Sequence, residues 1–453
     1  MSDSAEKIQS ELYRTYRLSS SLTYYVKTRV RPLGWMLLFI FPVLVFFIVA
    51  YSKMTSFFLM SVVLSLGLVS LLFVFLRRGK CSVSRELPSI ATVGNQMSYQ
   101  VNVKNTGSSK LSGALLLDEE PDPRPKKSEF IKSREPGEEE RNGFDRVFGY
   151  YRWLWVCKKK RQRKTKPYLL DSIKSGDSTT LMMACTPLKR GVMHFATMKL
   201  ILPDPLGVFQ KMYEAEQPED HVVVLPKRYR LPELELSGTS RNQMGGEVAS
   251  QSAGQVGEFI GLRDYKPGDP LKLIHWRSYA KTGKPIVKEY EDVFFPRCGL
   301  VLDTCCPFQE LDKFEEAVSI AASFASSIDT KESLLDLIFL NQGAKVQTVG
   351  KGVAKIAYML ETLASVEVDL APDWQSLTKK VLMHAEQLSS CVVILTSISI
   401  EKKGMVHKWL SSGMELLVIV LCATDDEISA AQSLGYTAIS VQNVERDLQR
   451  MSV

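Results

Sequence analysis

Between Arg263 and Ser278 the chain collects the side chains that proton transfer and anion binding need. His275 has the type of a general base, Asp269 or Asp264 could orient it, Ser278 could serve as nucleophile, and Arg263 and Arg277 could grip an anion. The types suffice for a hydrolase, but nothing in the spacing fixes a geometry. His275 also stands between Ile274 and Trp276, an apolar and aromatic setting that suits a hydrogen-bonded structural histidine better than a catalytic one.

The surrounding stretch, GEFIGLRDYKPGDPLKLIHWRSYAKTGKPIVKEYE from 257 to 291, is dense in turn-forming residues. Gly257, Gly261, Gly268 and Gly283 free the backbone, and Tyr265-Lys266-Pro267-Gly268-Asp269-Pro270 reads as a turn. Its bases (Arg263, Lys266, Lys272, Arg277, Lys281, Lys284, Lys288) sit among the acids Glu258, Asp264, Asp269, Glu289, Glu291 and Asp292. Near-neutrality predicts a paired polar network over a phosphate-binding surface. Thr282-Gly283-Lys284-Pro285 lacks the first glycine and the hydroxyl residue of a phosphate loop, so no nucleotide site is expected there.

Two uncharged runs, Leu33 to Tyr51 and Ser56 to Leu76, are each long enough for a helix to cross a bilayer. Pro42 is tolerable in such a span, and the late start and immediate second run argue against a cleaved signal. Lys27, Arg29 and Arg31 before the first run and Arg77, Arg78 and Lys80 after the second, against Lys53 between them, predict a retained hairpin with both termini and the soluble domains in the cytoplasm. The expected location is the cell membrane.

After the hairpin, MSYQVNVKNTG alternates apolar and polar residues, as do Thr179 to Thr186 and Gly191 to Leu202. They predict an antiparallel β-sandwich of immunoglobulin-like kind over 81–225. A charged stretch, 118–168, interrupts it and is read as a solvated excursion. Its run Lys158 to Lys166, following YYRWLW, offers an alternative function in binding anionic lipid or nucleic acid, with no specific nucleic acid expected. Residues 226–294 form a linker carrying the stretch above, and 295–453 alternates continuous apolar strands with helices, predicting a doubly wound parallel sheet. The eight cysteines lack metal-ligand spacing and are read as reduced, buried side chains.

The stretch 257–291, together with Lys189-Arg190-Gly191 and Asp204-Pro205-Leu206-Gly207-Val208-Phe209, resembles the domain of unknown function 58 family of membrane-tethered proteins. The resemblance implies a von Willebrand A-like domain after the signature. The metal loop of that fold, Asp-x-Ser-x-Ser, reads Asp303-Thr304-Cys305-Cys306-Pro307 here, so only Asp303 could ligate and a degenerate domain without metal or cofactor is expected. The resemblance further implies a MoxR-type AAA+ ATPase and a transglutaminase-like membrane protein as partners, and hence a scaffold or adaptor and no enzyme. On this reading Arg263, Asp264, Tyr265, Gly268, Asp269, His275, Trp276, Arg277 and Lys281 form an interaction site or an interdomain clasp, with Arg-Asp pairs aligned and Tyr265 and Trp276 buried.

Overall fold

A computed structural model describes residues 3–51, 54–195, 197–216, 218–232, 243–244, 258–291, 294–295, 297–307, 310–327, 334–340, 344–349, 353–369, 373–385 and 388–451. Gly257, Asp292 and most of the linker before the signature lie outside them. Two units separate at Lys227 and Arg228.

The first unit opens with three helices, α1 (Asp3–Arg29), α2 (Pro32–Tyr51) and α3 (Met54–Leu76). Neither α2 nor α3 has an acidic or basic residue at its ends, and their large apolar side chains, Phe39, Phe46, Phe58 and Leu72 among them, are exposed. Twenty residues rise about 30 Å. A paired, charge-free hairpin with outward-facing apolar side chains is compatible with anchoring in a membrane.

Strands β1 (Cys81–Glu86), β2 (Ile90–Thr92), β3 (Met97–Asn105) and β4 (Leu115–Glu119) follow, then α4 (Lys127–Lys132), α5 (Gly143–Phe148) and α6 (Tyr150–Lys160). The chain returns to sheet with β5 (Arg163–Lys164), β6 (Tyr168–Leu169), β7 (Ser178–Pro187), β8 (Gly191–Phe195), β9 (Thr197–Pro203), β10 (Gln210–Glu214) and β11 (Asp220–Leu225). Three sheets result, ordered β1-β3-β7-β5, β10-β9-β4-β6 and β2-β11-β8, antiparallel except for the β2–β11 pair. The expected alternation is present in β3, where Tyr99, Val101 and Val103 point into one apolar cluster shared with Leu116, Met198, Leu200 and Val222.

The turn from β9 to β10 seats this sheet-rich region on the helices. Arg31 N donates to Val208 O at 2.9 Å, Ser70 Oγ donates to the Asp204 carboxylate, and Gln210 Nε2 donates to Thr28 O at 2.8 Å. Gly34 permits the approach, since a Cβ there would lie 2.4 Å from Val208 O.

The stretch 118–168 is not the solvated excursion that its charge predicts. Asp118 and Glu119 belong to β4, and α4 to α6 pack on α1 through Tyr13, Phe130 and Trp153, all buried. Arg152 is 2% exposed and donates to Glu138 from Nε at 3.0 Å. Arg163, counted in the basic run, lies in the sheet core: it pairs with Asp118 at 2.8 Å and stacks over Phe195, beside Arg85 and the Tyr99 hydroxyl on the same carboxylate. Within the basic run, Lys160, Arg161 and Arg163 face the carboxylates of Glu129, Glu120 and Asp118.

In the second unit β12 (Gln243–Met244) pairs with β15 (Phe294–Phe295), and β13 (Glu258–Asp264) forms a hairpin with β14 (Ile286–Glu291) around α7 (Trp276–Thr282). Then come β16 (Arg297–Leu302), α8 (Leu311–Ser327), β17 (Leu334–Leu340), β18 (Ala344–Val349), α9 (Val353–Ser365), α10 (Trp374–His384), β19 (Ser390–Leu395), α11 (Ile400–Ser411), β20 (Glu415–Cys422), α12 (Asp425–Ser433), β21 (Thr437–Ser440) and α13 (Val444–Gln449).

The sheet runs β18-β17-β16-β19-β20-β21. Neighbours are parallel except β17–β18, so the expected parallel sheet carries an antiparallel edge strand. Val301, Val393 and Val420 face α10 and α11, while α8 packs against β16, β19 and β20. Helices on both faces explain why β16 and β19 are almost continuously buried.

Candidate functional site

The signature folds as a hairpin with an elaborated tip. Tyr265 N donates to Pro285 O at 3.0 Å and His275 N donates to Ile286 O at 2.8 Å, closing the loop on β14. Gly268 has φ 108° and Gly283 φ 69°, so the turns need glycine as the sequence indicates. Ile274 and Val287 are buried beneath the tip.

Arg263 forks onto Asp269, with Nη1 to Oδ2 at 2.7 Å and Nη2 to Oδ1 at 2.9 Å, and Lys266 N donates to the same carboxylate at 2.8 Å. The Arg263 bonds, then the Lys266 amide, hold the Asp269 carboxyl down at about 2. Arg263 Nε also approaches Glu289 at 3.5 Å. This is the expected paired network.

The hydrolase constellation is not assembled as the residue types suggest. Asp269 serves Arg263, and His275 Nδ1 lies 2.7 Å from Ser278 Oγ. The histidine and serine are adjacent because His275 occupies the N-cap position of α7 and Ser278 follows three residues later. Asp264, Arg277 and Lys281 are exposed on the same hairpin, and Gly268 shapes its turn.

Burial of the aromatics is corrected. Trp276 is 63% exposed and Tyr265 only half-buried, because Ile274 and Val287, not the aromatics, fill the small core of the hairpin. Phe259, Leu262, Leu271 and Tyr279 are exposed as well. A surface so apolar on a short hairpin is unusual away from an interface.

A second constellation sits at the carboxyl ends of β16 and β19, where the strand order reverses direction and open α/β sheets bind ligands. Asp303, 2% exposed, receives Lys402 Nζ at 2.5 Å, Thr396 Oγ1 at 2.7 Å and Thr396 N at 2.9 Å on Oδ2, and Cys305 N at 3.0 Å on Oδ1. Lys402 Nζ donates also to Ser397 Oγ at 2.9 Å and lies 5.2 Å from the Trp374 ring centre. An ammonium therefore holds the carboxylate on which a divalent cation would depend. Cys305 contributes its backbone amide, not its thiol, to the loop.

The sequence pointed to Asp303 but not to Lys402. A signal existed: Lys402 and Lys403 lie in the first turn of α11, behind the Ser399 cap, where the helix dipole disfavours cations unless a carboxylate faces them. Among the described residues no group of three or more His, Cys, Asp or Glu side chains could hold a metal.

Residues 261–427 match the family described as Protein of unknown function DUF58, which agrees with the resemblance carried by the signature. The uncharacterized protein YeaD of Bacillus subtilis (strain 168) is 24% identical over 259 residues, 57% of this chain. The aligned stretch spans 63% of that relative's length. Among solved structures, the CARDB domain of the PF1109 protein from Pyrococcus furiosus aligns with 32% of this chain and 89% of its own at 13% identity and a TM-score of 0.17. A β-glucosidase from Listeria innocua aligns with 30% of this chain and 16% of its own at 9% identity and a TM-score of 0.12. Likenesses at that level add nothing to the sheets described above.

Proposed function

We propose that this chain is a membrane-anchored, cytoplasm-facing scaffold or adaptor that binds protein partners without chemistry of its own. The observation that supports it is the Lys402 ammonium on Asp303. At the ligand-binding edge of the sheet the chain's own cation neutralises the carboxylate, leaving neither an open metal position nor a free base. The strand order and the Asp303 loop agree with a degenerate von Willebrand A-like domain, and the sheets of the first unit with an immunoglobulin-like sandwich. Basic residues flanking the helical hairpin favour a cytoplasmic orientation.

The binding surface of this reading is the signature hairpin. Trp276, Tyr279 and Leu271 offer aromatic and apolar anchors beside Arg277 and Lys281, a composition typical of the energetic centre of an interface. The family resemblance suggests a MoxR-type AAA+ ATPase as partner and a transglutaminase-like membrane protein in the same assembly.

The test is quantitative co-purification from native membranes, comparing wild type with Leu271→Ser/Trp276→Ala. Both side chains are exposed, so the fold should persist. Enrichment of an AAA+ ATPase that falls at least tenfold in the variant is expected, and equal capture by both would remove the hairpin from the contact. The alternative hydrolase reading rests on the 2.7 Å His275–Ser278 approach. Ester or peptide hydrolysis abolished by Ser278→Ala, with no partner recovered, would replace the scaffold with that reading.

A further inference from the structure

A groove runs between α1 and α6 in the first unit. Its widest part, about 480 Å³, lies between Tyr16, Tyr24 and Lys27 on α1 and Tyr150, Trp153 and Lys158 on α6. A second hollow of about 300 Å³ shares Tyr24, Arg124 and Arg161 with it. A third, about 370 Å³, shares Thr23 and Lys27 and extends through Leu22 and Val26 to Trp35 in α2. The three form a track that starts on the first apolar helix and ends in the second hollow, where Glu119, Glu120 and Asp122 stand among Arg124, Arg161 and Lys199.

The charges along the track are not equivalent. Arg124 is held by Asp122 at 2.7 Å and Arg161 approaches Glu120 at 3.4 Å. Lys27 and Lys158 are exposed, and among the described residues neither has a carboxylate partner. Tyr16, Tyr24, Tyr150, Trp153 and Leu154 give the widest part an aromatic and aliphatic wall, and Lys27 and Lys158 place two cations on it. Lys27 lies in the last turn of α1, five residues before α2 begins at Pro32.

We propose that this groove binds an anionic phospholipid of the surrounding bilayer, its phosphate between Lys27 and Lys158 and its acyl chain against Leu22, Val26 and Trp35. The assignment rests on the membrane reading of α2 and α3. Charge complementarity and continuity with the apolar hairpin select a lipid over a soluble anion, which would leave the apolar walls in water. The basic run thus acts through one lysine facing the same groove as a residue of α1, while Lys160, Arg161 and Arg163 are engaged by Glu129, Glu120 and Asp118.

The full chain is reconstituted in phosphatidylcholine nanodiscs containing a small fraction of photoactivatable phosphatidylglycerol, and labelled peptides are mapped. Labelling should concentrate on residues 16–35 and 150–161. Lys27→Gln/Lys158→Gln should lower it roughly thirty-fold, about fivefold per lysine, while Lys408→Gln, in the second unit, leaves it unchanged. Even labelling of all apolar segments, or wild-type labelling in the double variant, would overturn the proposal. So would loss of labelling on adding millimolar inorganic phosphate, which would assign the groove to a small soluble anion. Alkaline carbonate washing of native membranes runs beside it: a chain released by the wash would overturn the membrane reading and the lipid site together, whereas a retained chain that fails to label selectively overturns the lipid site alone.

Discussion

Replacing Lys402 with methionine keeps most of the side-chain volume and removes the charge that neutralises Asp303. The carboxylate would retain Thr396 Oγ1, Thr396 N and Cys305 N, three donors that bear no formal charge, in a site 2% exposed. Removing one partner of a buried ion pair costs about 3 to 5 kcal/mol, because the remaining charge stays desolvated. Against a domain stability of about 5 to 15 kcal/mol this is a large fraction. Hydrogen exchange on the full chain in detergent, read on peptides spanning 297–303 and 390–396, reports the loss where it arises. Asp303→Asn/Lys402→Met should recover at least half of it, since the buried charge is gone and the amide oxygen still accepts from Thr396 N and Oγ1, leaving only the Cys305 N–H without its acceptor. Millimolar magnesium should leave wild-type exchange unchanged, because both carboxylate oxygens are occupied. A cost below about 1 kcal/mol, a double variant no better than the single, or protection that rises with magnesium in the wild-type chain would refute the reasoning.

In the first unit, Asp118→Ala should destabilise by about 3 kcal/mol or more, measured by thermal unfolding followed on the sheet signal, because Arg85 and Arg163 would be left buried without their shared carboxylate. The Arg263–Asp269 pair should have a distinctive acid limit. The folded Asp269 carboxyl lies below its unfolded value, so its contribution is complete above about pH 4 and lost as pH falls towards about 2; carboxyl chemical shifts on a labelled chain would check this window. Burial raises the cysteine thiols, Cys306 and Cys391 to about 12 and Cys81, Cys157, Cys185 and Cys422 to about 11. At neutral pH a disulfide reagent should therefore react slowly with the native chain, starting at the half-buried Cys157 and Cys305, and fully after denaturation.

Much of the second unit was legible because its strands are buried on both faces. The runs that become β16, β17, β19 and β20 are rich in β-branched and aliphatic residues, a pattern that solvent exposure on either face would break. β18 escaped notice: Ala344–Val349 mixes polar and apolar residues, as an edge strand does, and its antiparallel pairing cannot be read from composition. The stretch 118–168 misled for another reason. Its charge density is real, but Trp153 and Phe130 find their partners in Tyr13 and Tyr16, more than a hundred residues earlier in the chain.

The amino-acid sequence by itself determined the elements whose physics is local. Two charge-free runs compel apolar helices, alternation in β3 compels a one-sided strand, and glycines at 268 and 283 admit the positive φ that the signature turns require. Tertiary structure alone decided which charge meets which. Lys402 reaches Asp303 across ninety-nine residues, Arg163 reaches Asp118 across forty-five, and Asp269 turns to Arg263 instead of His275. Ion pairing depends on distance after folding, and the types of the residues constrain that distance only through the fold that carries them.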